Sequence, residues 1–223
     1  MVDMKCSITH FEKDVKAYEE EGIQEGLIMF YGDSGFTRWS EKHGNNNLAD
    51  DIRMKDGSVA AVCHGLGGST IDQLLYRYNR MVKPWKPRAL VLKVYNNDRD
   101  VNYAPDEILF LVSRLLEWAR TDFPGIKLFV CDAQPLLVDK DRKNTWYYHQ
   151  KEYNELLEQY CAKHDDTTMV WQSRNPDLFE TPEDIGDYQK IRTDLFIEDN
   201  VHFNKEGYEI CKNFWLRQLD ELL

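Results

Sequence analysis

Short apolar runs alternate along this chain with longer stretches whose apolar residues recur at helical spacing, and that alternation limits the fold more than any other feature. Residues 27–31, 59–63, 89–94, 127–131 and 168–171 have the length and composition of buried strands. Between them, residues 70–81 place Ile71, Leu74, Leu75 and Tyr78 on one helical face, and a stretch opening at Pro105 does the same with Ile108, Leu111, Val112, Leu115, Leu116 and Ala119. Lys83 to Pro87 and Phe123-Pro124-Gly125 supply the stops. Further helices are expected over about 147–163 and from about Asn204, the last with Tyr208, Ile210, Cys211, Phe214, Trp215 and Leu219 inward. Strands and helices taken in turn predict a three-layer α/β/α sandwich around a mostly parallel, five-stranded, doubly wound (flavodoxin-like) sheet. No repeat or low-complexity linker divides the 223 residues, so residues 1–223 read as one domain.

Open sheets of this kind bind ligands beyond the carboxyl ends of their strands, so the residues just past each apolar run come next. The first run leads into Gly32-Asp33-Ser34-Gly35, where two glycines permit a tight turn that exposes the Ser34 hydroxyl. Phe36 departs from the G-x-S-x-G elbow, and a plain turn or helix cap fits the same residues. A hydroxyl becomes a nucleophile only beside a base that a third group orients. Of the six histidines, only His202 has an aspartate, Asp199, three residues before it; Asp199 as a helix cap beside a surface ring is the alternative. The second run leads into His64-Gly65-Leu66-Gly67-Gly68-Ser69-Thr70 and the third into Tyr95-Asn96-Asn97-Asp98. Gly68 can bring a backbone N–H close to a ligand, and Asn97 can add a side-chain amide, although each segment by itself also reads as a turn. Asn96 is expected to point elsewhere, and Trp39 to line the pocket beside Ser34.

In this order, the four segments resemble the blocks of the SGNH subset of the GDSL esterase/lipase family. Gly32-Asp33-Ser34 is similar to its first block, Gly68 before Ser69-Thr70 to its second, Asn97-Asp98 to the end of its third, and Asp199-x-x-His202 to its last. The resemblance implies ester hydrolysis through an acyl-serine, with Ser34 attacking, His202 moving the proton and Asp199 orienting the ring. The Ser34 and Gly68 N–H groups and the Asn97 amide would form the oxyanion hole. It implies no metal and no organic cofactor, and a small-molecule ester as partner, a carbohydrate O-acetyl group being the leading choice. A lysophospholipase or thioesterase, or a non-catalytic carbohydrate- or lipid-binding relative, is the alternative. Two departures stand out. Tyr95 occupies the place of the third block's glycine, which predicts an ordinary extended path for that loop, and Gly35-Phe36-Thr37-Arg38-Trp39 replaces a small apolar residue after the serine.

A net charge of −11 with scattered lysines and arginines argues against a nucleic-acid partner. Residues 1–6 carry no leader pattern and no apolar run approaches spanning length, so a cytoplasmic protein without membrane insertion is expected. Five cysteines without C-x-x-C spacing (Cys6, Cys63, Cys131, Cys161 and Cys211) suggest buried free thiols. Trp39, Trp85, Trp146, Tyr147 and Tyr148, in or near loops, offer sugar-stacking faces or packing under loops, and Tyr103, His149 and the acidic stretch from Glu180 to Asp187 read as solvated surface.

Overall fold

The computed structural model describes residues 7, 9–134, 136–140 and 145–223; Met1 to Cys6, and the Trp146 side chain, lie outside that description. In chain order the elements are α1 (Glu12–Glu20), β1 (Ile28–Gly32), α2 (Ser34–Thr37), α3 (Leu48–Asp51), β2 (Ala61–Cys63), α4 (Ile71–Met81), β3 (Ala89–Lys93), α5 (Asn96–Asp100), α6 (Pro105–Asp122), β4 (Lys127–Cys131), α7 (Thr145–Cys161), β5 (Thr167–Val170) and α8 (Lys205–Gln218), with short 3-10 turns between. The strands form one five-stranded sheet in the order β2-β1-β3-β4-β5, every pair parallel. This is the expected doubly wound architecture. The turn-like segments after β1 and β3 include short helices, α2 and α5, too brief to leave a periodic signal.

Alternate residues of each strand serve two cores. Met29, Tyr31, Leu90, Leu92, Leu128 and Val130 pack with the apolar faces of α1, α4, α6 and α7. Ile28, Phe30, Ala89, Val91, Cys131 and Val170 face Phe214 and Trp215 of α8 and Leu219 just past it, with Phe36 and Leu48 from α2 and α3. Burial on both faces is why these strands read as continuous apolar runs instead of alternating ones.

The chain crosses from β1 out to β2 and returns to β3 on the other side of β1, so β1 and β3 are neighbours whose following loops diverge. That switch point lies where Ser34 and Asn97 follow their strands. The register pairs Gly32 with Lys93. A methyl group on Gly32 would stand 2.4 Å from the Lys93 carbonyl oxygen, so only glycine lets the two strand ends approach here.

The four described cysteines are free; Cys131 is buried, but Cys63, Cys161 and Cys211 are only half-buried, Cys211 because it lines the Ser34 cavity. Trp39 and Trp85 are buried, which removes them as stacking faces, whereas Tyr147 and Tyr148 are exposed. Tyr103 is buried rather than solvated, and His149 is half-buried between it and Tyr95. No helix among the described residues is long and apolar enough to cross a membrane.

Candidate active site

Ser34 opens α2 directly after β1, and the Asp33 carboxylate caps the turn by accepting the Gly35 N–H at 2.8 Å. Asp33 is 3 % exposed; burial pushes its carboxyl up, and the Lys93 ammonium and the Gly35 N–H work in the opposite direction. The Ser34 hydroxyl is thereby held at the rim, 2.8 Å from His202 Nε2.

His202 arrives on a hairpin-like loop that the final helix pins down. Phe196 and Phe203 form an antiparallel bridge, the Ile197 N–H donates to the His202 carbonyl at 2.9 Å, and the tip turns through Asn200 at a φ of 57°. The following helix is capped by Asn204, whose side chain accepts the Gly207 N–H at 3.1 Å, so Asp199 is not the cap. A methyl group on Gly207 would meet the Leu195 carbonyl at 2.6 Å and Phe203 Cβ at 2.7 Å; glycine there lets α8 seat tightly against the loop. Asp199 divides its oxygens. Oδ1 accepts the Val201 and His202 main-chain N–H groups, each at 2.9 Å, and Oδ2 faces His202 Nδ1 at 2.7 Å. Burial raises the Asp199 carboxyl, but those bonds outweigh it and hold the group below the usual aspartate value. Arg38 Nη1 stands 4.0 Å from the same carboxylate.

Gly68 takes a φ of 84°, a conformation that L side chains rarely adopt. It lines a hollow next to the Ser34 cavity, and Asn97 lines both. A methyl on the preceding Gly67 would stand 3.9 Å from Ser34 Cβ, which brings this turn against the serine. Among the described residues, the Ser34 and Gly68 N–H groups donate to nothing. The Asn97 amide gives one hydrogen to the Ser69 carbonyl at 3.0 Å, tying the third-strand loop to the second-strand loop and leaving its other hydrogen free.

Tyr95 does not take the extended path expected of it. Its φ is 114°, the region where a glycine would sit without strain, so the loop keeps a glycine-type course despite the side chain. The anchors that hold it there are visible. The ring is fully buried, its hydroxyl pairs with His149 Nδ1 at 3.0 Å, and it lies 4.9 Å from the Tyr153 ring. From below, Asp98 accepts the Tyr95 N–H at 3.0 Å and the Ile71 N–H at 2.7 Å, clamping the loop to the start of α4.

Burial pushes the Asp98 carboxyl up to about 7, although both N–H groups favour its charged form. An aspartate in an unfolded chain titrates near ~3.9, so between these values the folded chain holds a proton that the unfolded chain has lost. This group's contribution to stability is therefore full at low pH and is lost as pH rises through about 7. Melting scans from pH 5 to 8 should show a drop in Tm for the wild type that is smaller in Asp98→Asn; parallel curves for the two would contradict this.

The Ser34 cavity has a volume of about 130 Å³. Ser34, His202, Asn97 and Trp39 line it, and so does Asn96, whose carboxamide oxygen is buried without a partner, so Asn96 is not turned away. Five further polar residues in its wall were not picked out from the sequence: Arg99 and Asp100 of α5, and Lys93, Gln134 and Gln172, which end or follow β3, β4 and β5. Lys93 had a signal, a charged residue inside an apolar run, whereas the glutamines become neighbours only when the strands assemble. Among the described residues, no cluster of His, Cys, Asp or Glu is arranged to hold a metal ion.

The sequence model of the GDSL-like Lipase/Acylhydrolase family matches residues 30–210. No curated protein matches the sequence. Among solved structures, a candidate acylhydrolase from Bacteroides fragilis has a TM-score of 0.72 and 19% identity, over 98% of this chain and 100% of its own. A GDSL-like lipase from Bacteroides thetaiotaomicron follows at 0.71 and 19%, covering 97% of this chain and 100% of its own. A Geobacillus acetyl-xylooligosaccharide esterase, solved as a mutant, reaches 0.61 at 14% identity, over 89% of this chain and 96% of its own. At such identities the likeness speaks for the fold.

Proposed function

The chain belongs to the GDSL-like lipase/acylhydrolase family, and on that premise we propose that it hydrolyses a small acyl ester, with a carbohydrate O-acetyl group as the leading substrate, through an acyl-Ser34 intermediate. Residues 1–223 act in this reading as one catalytic domain. Ser34 Oγ attacks the carbonyl while His202 Nε2 takes its proton; the ring then returns that proton to the departing alcohol. Asp199 keeps the other ring nitrogen protonated and steadies the imidazolium. The charge on the carbonyl oxygen is met by the Ser34 and Gly68 N–H groups and the free hydrogen of the Asn97 amide. Water then repeats the sequence on the acyl-serine and releases the acid.

The observation that carries this reading is the unbroken hydrogen-bonded line from Ser34 through His202 to Asp199, at 2.8 and 2.7 Å. Nucleophile, base and orienting carboxylate at these spacings are what acyl transfer needs. Cavity size supports the small acyl group. A dry cavity of about 150 Å³ in another protein takes up benzene, so about 130 Å³ suits a short acyl group and is tight for a long chain. A saccharide esterase on the same fold, the Geobacillus enzyme, supports the leading choice of alcohol.

Turnover of 4-nitrophenyl esters of rising acyl length, run beside acetylated sugars, tests the reading. Acetate and butyrate should outpace octanoate and longer esters, and the reverse order would favour a lysophospholipase or thioesterase. Asn97→Ala should lower kcat about a hundred- to a thousand-fold with little change in KM, as removal of one oxyanion donor does. Wild-type kcat in that variant would take Asn97 out of the oxyanion hole.

A further inference from the structure

Lys93 is a buried cation with no carboxylate in contact. It is 7 % exposed, and no ion pair within 4.0 Å reaches it among the described residues. Its ammonium instead donates to Gln134 Oε1 at 2.6 Å and Gln172 Oε1 at 2.8 Å. The nearby buried carboxylates are engaged elsewhere, Asp33 with the Gly35 N–H and Asp132 with the Ser173 N–H. The charges of Asp33 and Asp132 act on Lys93 through space, but its direct hydrogen-bond partners are two neutral amide oxygens, which leave the ammonium without a charged acceptor in contact.

An ammonium donates and cannot accept, so both glutamines must turn their oxygens to Lys93 and their NH2 groups away. Neither NH2 group donates to anything among the described residues, nor does the third ammonium hydrogen. All three side chains line the cavity that holds Ser34 and His202. Next to Ser34, the Lys93 stem packs directly on the Gly35 backbone, where even a methyl would stand 2.6 Å from Lys93 Cε. One part of the wall beside the serine is thus a cluster of hydrogen-bond donors awaiting an acceptor.

Resting on the hydrolase reading above, we propose that Lys93, Gln134 and Gln172 form an acyl-end subsite that selects short acyl groups ending in an acceptor oxygen, keto or carboxylate, over alkyl groups of the same shape. Lys93 and the two amides bind the far oxygen of the acyl chain, and the ammonium's third hydrogen gains there an acceptor in contact. A lysine kept only for packing would be served as well by its hydrocarbon stem.

The test compares kcat/KM for the 4-nitrophenyl esters of 4-oxopentanoate, monoglutarate and 4-methylpentanoate, each divided by the ester's own spontaneous hydrolysis rate. The keto ester and its methyl-branched analogue differ in shape by an oxygen for a methyl, and the glutarate arm separates an anionic from a neutral acceptor. Wild-type protein should favour at least one oxygen-bearing ester about tenfold or more, the scale of a hydrogen bond to a charged group. Lys93→Met keeps the stem and removes the charge, and should bring that ratio close to one. An alkyl ester turned over as well as both others by the wild type would overturn the subsite, as would a preference that survives in Lys93→Met. If Lys93→Met fails to fold, the wild-type ratio decides alone. Equal turnover of all three esters sinks only the subsite; no turnover of any, with no labelling of Ser34 by a fluorophosphonate, sinks the hydrolase reading with it.

Discussion

Ser34→Ala should abolish covalent labelling by a fluorophosphonate probe and lower ester turnover about a million-fold, the loss seen when the nucleophile of a serine hydrolase is removed. The expectation rests on the 2.8 Å contact to His202 Nε2 and on a turn whose conformation belongs to the backbone, through the Asp33 cap and the two flanking glycines. Alanine keeps all of that. The variant should fold as the wild type does, so lost activity would report chemistry and not structure. Intact mass before and after the probe measures the labelling, and a labelled Ser34→Ala protein would move the nucleophile to another residue. Wild-type protein left unmodified while a control esterase is labelled would favour a non-catalytic binding relative.

Asp199→Asn should lower kcat about ten-thousand-fold while leaving the fold in place. The reason lies in how Asp199 splits its oxygens. The Oδ1 side holds the Val201 and His202 N–H groups, so an asparagine would keep its carbonyl oxygen there and turn its NH2 toward the ring. His202 Nδ1 would then have to accept, the proton would move to Nε2, and the nitrogen facing Ser34 could no longer act as a base. Steady-state kinetics with a parallel melting curve separates the outcomes: a kcat within tenfold of wild type would show that the carboxylate does not set the tautomer, and a large fall in Tm would show that the Asp199 oxygens are needed to hold the loop itself.

Where the physics is local, the linear chain was readable. Five apolar runs became five strands with ends shifted by only one or two residues, because burial on both faces demands near-continuous apolar composition. The amphipathic stretches at 71–81 and 105–122 carry their own periodicity, and Pro105 marks where the second begins. Ser34, Gly68, Asn97, Asp199 and His202 could be chosen as candidates because each sits in a short motif just past a strand or just before a helix.

Other features depended on contacts between distant segments. Tyr95 looks incompatible with a φ of 114° when judged by its own backbone preference; Asp98 in its own loop, together with His149 and Tyr153 from the distant α7, holds it there. Tyr103 and His149 read as surface because no local pattern pairs them, yet His149 bridges the Tyr95 hydroxyl and the Tyr103 carbonyl across the fold.

The sequence by itself determined the layers, the strand count and the residue types at the rim, since these follow from hydrophobic period, turn chemistry and spacing within about ten residues. Tertiary structure decided which of those rim residues meet. Ser34 and His202 are 168 positions apart in the chain, and their 2.8 Å contact exists because α8 docks on the sheet and carries its preceding loop over β1. Lys93, Gln134 and Gln172 likewise become one cluster only when β3, β4 and β5 lie side by side. A hydrogen bond needs its partners within about 3 Å, and no local pattern encodes a distance across the fold.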